Sequence, residues 1–504
     1  MVRHDSLPVE LDVISPAPPS PALSLSRSQS GNPFDTPSST LAKSPASSIH
    51  HHHQHRDTSP SPSASGVRLR SLNLETGGEQ LAQDQLAPVD GGRGAWAFVV
   101  AAFILETVIW GFSFSFATIL VYLQRTAPWS DNSIGILSAI GAVNLGVQYL
   151  LPLPTTILFR RYPDYVKTAL WISTALYTGS MLLSSWATQA WQLVVLQGIV
   201  CGATGSVMYT PVLMWLNDWW VAKKGLAGGI IFAGAGIGGL IFPFIISSLL
   251  SWRGFPWMVR IWAVLAGTTL ALSVYLIKPR VPPRKMRSHE RGPWLATDGA
   301  FLRDPIMLLT LGTSFVSSLS TFPVSLYLAT YASNLTPSAF EAEVVVGIYN
   351  VASSFGCAFT GWLADIDYPL ATTFCGVAGA IAAFASWGLA DSLAKAYGFA
   401  VLAGFTSQII AAWSGCARDV SGGNPYVGSL VFGVLAGSRG LASIAMPFIS
   451  EELYRPGDEK ESWGRFGFYR MMLFVGVTAT ISAFGGIALK VVRTRMVKSG
   501  RLRA

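Results

Sequence analysis

The sequence predicts an all-α membrane protein: twelve transmembrane helices in two six-helix bundles, preceded by a disordered N-terminal tail. Three observations carry that prediction. The 504-residue chain is 51% hydrophobic and only 12% charged, where a soluble domain carries about 25% charged residues. After residue 94 come twelve apolar runs of about 20 residues or more, each long enough to cross a hydrocarbon core of about 30 Å. Finally, the basic residues collect in the short polar stretches between those runs, on alternate sides.

Residues 1–94 are rich in Ser, Pro and His and too polar to fold alone. They contain no apolar h-region, so the first span is expected to act as the targeting signal. Ser15, Ser20, Thr36, Ser44, Ser59 and Ser61 each precede proline and are candidate phosphorylation sites. Asn32-Pro33-Phe34 resembles the short motif read by endocytic adaptor domains. A solvated arm with no specific partner is the competing reading.

The first six spans lie at 97–123, 133–157, 167–186, 189–217, 225–251 and 258–277. The second six lie at 304–332, 341–364, 369–389, 393–416, 425–450 and 466–491. The expected division is therefore a tail (1–94), a first bundle (95–277), a basic linker (278–303), a second bundle (304–492) and a C-terminal tail (493–504). With the N-terminus cytosolic, nineteen Lys/Arg fall on inside segments and eight on outside loops. The positive-inside rule then places both termini in the cytosol. Seven more basic residues lie in the tail, which leaves Arg439 alone deep within the bilayer, the others standing near span ends.

Arg439 is the strongest functional signal. A guanidinium at mid-bilayer depth costs about 3 kcal/mol on the most lenient scale. Binding of an anionic substrate would justify that cost; neutralising an acid or capping carbonyls inside the bundle is the alternative. Glu106, near the middle of span 1, is the second charge. A carboxyl in that setting suits reversible protonation and is the proton-coupling candidate, unless it pairs with Arg439 or sits hydrogen-bonded.

In span 5, Gly225, Gly229, Ala233 and Gly236 share one helical face, which would let a neighbouring backbone approach closely. Gly234, Gly236 and Gly239 also fit a G-x-G-x-x-G pattern, but no acid follows about 20 residues on, as a dinucleotide fold requires. The four cysteines (Cys201, Cys357, Cys375, Cys416) all lie in apolar segments and read as small hydrophobes. Six of the seven histidines lie in the tail and His289 in the linker, so no histidine relay crosses the membrane. The net charge of +8 is spread over loops, which argues against nucleic acid. No catalytic constellation, metal set or cofactor motif is present.

The chain resembles the monocarboxylate porter family of the major facilitator superfamily, in particular its fungal members. Four segments carry the resemblance: Asp90-Gly91-Gly92 with Trp96 before span 1, Lys223 to Pro243 in span 5, Ser438-Arg439-Gly440 with Met446-Pro447 in span 11, and Gly361-Trp362-Leu363-Ala364-Asp365 after span 8. The resemblance covers roughly 90–495 and implies a central cavity and rocking alternating access. It makes Asp365 a gate residue. Spans 1, 4, 7 and 10 usually line the pathway in this superfamily, which favours Tyr209, Tyr327 and Gln408 as substrate contacts; Asn144, Gln148 and Asn350 are further polar candidates. Phe112, Phe114, Phe116, Trp215 and Phe322 hint at a cavity for a larger, partly apolar solute, or else fill ordinary helix interfaces. The animal lactate carriers hold a lysine late in helix 1 and an Asp-Arg pair in helix 8. Here those positions read Phe112-Ser113-Phe114-Ser115-Phe116 and a span without such a pair. Lactate–proton symport therefore does not carry over.

The expected function is secondary transport of a small organic anion or related metabolite. Efflux of a biosynthetic product is the first alternative, and a transporter-like sensor signalling through its tail is the second. The expected setting is the plasma membrane, with the vacuolar membrane as alternative, and a monomer by default.

Overall fold

The computed structural model describes residues 87–221, 223–282, 291, 294, 299–457 and 463–502. The serine–proline sites, Asn32-Pro33-Phe34 and His289 lie outside the described residues. Among those described, every regular element is a helix. Among the described residues nine helices are long and apolar enough to cross a bilayer. Two of the nine hold two expected spans each. Lys224–Leu276 breaks at Gly254, whose φ of +75° favours glycine. Ala339–Ile381 breaks at Asp367, two residues before Pro369. Val166–Ser184, whose apolar character is diluted by Ser173, Thr174 and Thr178, supplies the remaining span.

The ends of the spans follow from local chemistry. Ser133, Asp304, Ser338 and Asn424 each accept backbone N–H groups at the starts of spans 2, 7, 8 and 11. Pro305 and Pro425 occupy the next position, where their missing N–H costs nothing. Among the described residues five spans are interrupted: span 2 at Leu151, span 9 at the π-helical turn Ala382–Trp387, and the three that follow. Span 1 changes at Ser115 between Gly92–Phe114 and Phe116–Arg125. Span 4 contains a π-helical turn, Val194–Val200. Span 10 passes through a 3-10 turn, Ile409–Ala412, between Leu393–Thr406 and Trp413–Ser421.

Side-chain bonds sort the span ends onto two faces. On the face holding the first and last described residues, Asp90 Oδ1 accepts from the backbone N–H groups of Val221 and Lys223, both at 2.9 Å. The motif before span 1 thus clamps the turn that opens span 5. Trp219 Nε1 donates to the Lys278 carbonyl at 2.9 Å. In the second half, Asp419 pairs with Arg493 at 2.7 Å and accepts from the Tyr368 hydroxyl at 3.0 Å, and Lys490 pairs with Asp367. Arg161 and then Arg291 beside the Tyr162 hydroxyl hold it below the usual phenol range. On the opposite, far face, bonds run between the halves: Thr118 donates to Glu343, Arg125 to Ser333 at 2.8 Å, and Tyr327 to Ser138 at 3.3 Å.

Two seams join the halves along their length. In the first, spans 2 and 11 cross at Gly146 and Gly440; a Cβ on Gly440 would lie 2.5 Å from the Gly146 carbonyl oxygen. Ser443 donates to the Ala142 carbonyl at 2.8 Å in the same seam. The second seam joins spans 5 and 8, and it corrects the expected glycine face. Gly229 has no neighbour within 4 Å of where its Cβ would stand. Gly234 and Gly238 instead meet Phe103, Thr107 and Gly111 of span 1, while Gly236 and Gly239 meet Ser354 and Asn350 of span 8. Span 5 is pressed from two sides, so its glycines serve two contacts rather than one stripe. The side chain of Gly225's neighbour Lys224 lies outside the description.

Candidate functional site

Arg439 lies mid-span, only 5% exposed. The glycine that follows it brings span 11 against span 2, so the guanidinium meets the next inward-facing residue of span 2, Tyr149. Its Cζ stands 5.4 Å from the Tyr149 ring centroid and 4.8 Å from that of Phe322 on span 7. The two rings, one from each half, are themselves 6.4 Å apart. Nη1 donates to Ser318 Oγ at 3.3 Å, and Nε has no partner. Among the described residues no carboxylate pairs with it. The site is thus a buried cation held by aromatic faces, with donor capacity left over.

The aromatic layer continues into the first half. Trp110 of span 1 packs on Tyr149 at 4.9 Å and edge-on to Tyr209 of span 4 at 5.4 Å. Glu106, one turn before Trp110, is 2% exposed, and its Oε1 has no hydrogen-bond partner. Neither bland reading of Glu106 describes this arrangement: it does not pair with Arg439, and the buried oxygen is not bonded. Trp110, one turn on from the acid, and Tyr149 lie in one aromatic layer with the guanidinium.

The other expected residues have different surroundings. Asn350 donates to the Gly239 carbonyl at 2.8 Å and belongs to the span 5–8 seam. Tyr327 is fully buried in the far-face contact with Ser138. Gln408 is half-buried at the break in span 10 and donates to Ser407 at 2.9 Å. Asp365 is exposed and makes no ion pair among the described residues; its neighbour Asp367 holds Lys490. Asn144 and Gln148 form a buried network with Ser113, in which Asn144 donates to the Gln197 carbonyl at 2.6 Å. Gln197 sits in the π-helical turn with both side-chain amide atoms unpartnered. Phe112 stacks on Trp262 at 5.0 Å, an interface role.

Sequence reasoning missed Tyr149 and Ser318, the supports of Arg439, and Tyr349. Tyr349 lines a cavity of about 30 Å³ with Ser317, Ser320, Thr321 and Ser407, room for about two waters. Ser314, Ser317, Ser318 and Thr321 recur at helical spacing in span 7, and that hydroxyl ladder was a legible signal for this polar lining.

Comparison with known proteins bears on what such a centre does. Residues 98–447 match the Major Facilitator Superfamily. The chain is 28% identical over 351 residues to the fujikurins efflux protein of Gibberella fujikuroi, covering 68% of this chain and 73% of that one. It is 26% identical over 401 residues to the aspyridones efflux protein of Emericella nidulans, covering 79% and 77%. In three dimensions it resembles a nucleoside transporter with a TM-score of 0.59, across 78% of this chain and 99% of that one, at 12% identity.

Proposed function

Because this chain belongs to the major facilitator superfamily, and is thus a multi-pass membrane transporter, we propose that it exports a small, partly apolar organic anion. The observation that carries the reading is Arg439: a buried guanidinium between Tyr149 and Phe322, with an unused donor and, among the described residues, no carboxylate partner. An anion entering this layer gains the cation, and its apolar body gains the rings. The efflux named for two relatives supports the outward direction.

The moving units are the two sets of six spans, 95–277 and 304–492, rocking across the seams, with 278–303 as their cytosolic connection. Both termini face the cytosol, and the plasma membrane is the site of action. Glu106 is the coupling acid: a buried carboxyl one turn from Trp110, which packs on Tyr149 of the anion site, lets proton uptake bias the cation's field.

The test compares metabolites in medium and cells of a deletion strain and its parent. The deletion strain retains an acidic product inside; the wild-type gene restores its release. Arg439→Gln reaches the surface in equal amount and fails to restore release, lowering it by roughly a hundredfold, as loss of a charge-assisted contact predicts. Release at unchanged apparent affinity would make Arg439 structural. Glu106→Gln removes the dependence of uptake into inverted vesicles on the pH gradient. A deletion ending at residue 86 spares the Asp90 clamp and leaves transport intact; loss of transport there would favour the sensor reading.

A further inference from the structure

Glu343 stands early in span 8, near the far face, and is 6% exposed. Thr118 of span 1 donates its hydroxyl to Glu343 Oε2 across the two halves. Beside the pair, Ala117, Ala329 and Val346 from spans 1, 7 and 8 form a small apolar cluster of their own. Among the described residues no ion pair includes Glu343.

The charged groups around it are engaged elsewhere. Arg125, two turns further along span 1, donates to Ser333, and the Glu341 carboxylate accepts from Thr336. Span 7 faces the cluster with Ala329, and span 5 packs Leu240 and Phe244 against Gly347 and Phe340. Neither span brings a charge to the pair. One hydroxyl leaves most of a carboxylate's acceptor capacity unmet, and an apolar setting penalises an ion so poorly compensated. The neutral acid fits the closed seam; the carboxylate fits an open, watered one.

We propose that Glu343 is a proton-binding site that ties closure of the far face to protonation. As the seam closes, a proton from the far-side medium joins a carboxylate oxygen of Glu343. As it parts, Thr118 withdraws, water solvates the carboxylate, and the proton returns to that medium. The inference goes beyond the anion site, since no residue of that site takes part.

Spin labels at Thr126 and Asn334, each one residue past the Arg125–Ser333 bond, read the seam directly. The full chain is placed in nanodiscs without substrate, with half-buried Cys357 changed to Ala so that the labels report this gap alone. Lowering the pH from about 8 to about 5 raises the ratio of short to long distances on the order of tenfold. Glu343→Gln holds the short distance at every pH, whereas Glu106→Gln keeps the wild-type response. Thr118→Val removes a hydrogen bond that only the closed seam makes, so its transition midpoint moves to lower pH. A wild-type distance insensitive to pH overturns the proposal, as does a Glu343→Gln protein that tracks wild type or a response lost in Glu106→Gln. Should Glu343→Gln fail to fold, an unmoved midpoint in Thr118→Val overturns it alone.

Discussion

The two faces of the bundle are held together by different kinds of bond. At the far face, polar contacts cross between the halves: Thr118 to Glu343, Arg125 to Ser333, Tyr327 to Ser138. At the face of the termini, the hydrogen bonds and ion pairs among the described residues stay within each half, with Asp90 clamping the Val221–Lys223 turn and Asp419 binding Arg493 and Tyr368, while Arg160 over the Tyr426 ring is a crossing contact. One face is stitched and the other is braced. Hydrogen bonds thus cross between the halves at the far face, while at the other face they brace each half internally.

That contrast can be attacked at four points. The largest effect falls on the seam that both faces depend on. Gly440→Val places a side chain against the Gly146 carbonyl and costs about 3 kcal/mol or more; the expected readout is loss of monodisperse protein in detergent. Asp419→Asn strips the charge from a pair whose Arg493 keeps partial solvent access. It costs about 2 kcal/mol, below the fully buried case, seen as a lowered Tm with far-face distances unchanged. Tyr149→Leu removes one ring from Arg439 and weakens substrate affinity by roughly fivefold, about 1 kcal/mol of cation–π contact, at equal surface abundance. Arg125→Ala removes an exposed bond worth under about 1 kcal/mol. It changes Tm little; a large drop would show that the far face, not the bracing, carries the stability.

Much of this was legible in the sequence, and the gaps have physical causes. Span count and the isolation of Arg439 follow from hydropathy and charge, which act residue by residue. The chain also gave Gly440 its place beside Arg439. Yet its partner Gly146 lies almost three hundred residues away, and no local pattern pairs the two. Tyr149 was hidden for the same reason: which face of span 2 meets span 11 depends on helix rotation. The span 5 glycines were placed at the right spacing but assigned to one neighbour, because a periodic stripe does not reveal that a helix is squeezed from both sides. Glu343 stands at the start of its span, and only the packing of span 1 against it brings Thr118 to its carboxylate. Asp90 looked like a family marker; its carboxylate's hold on the Val221–Lys223 turn appears only in three dimensions.

The meeting of Gly146 and Gly440 has a mechanical corollary. Main chain approaches main chain there, with the Ile444 and Leu150 side chains packed alongside. So close a contact leaves the two spans little room to separate and sets a pivot between them. Arg439, mounted next to the axle, would sweep through only a short arc during the cycle, so its charge stays near the centre line while the outer ends of the spans travel furthest.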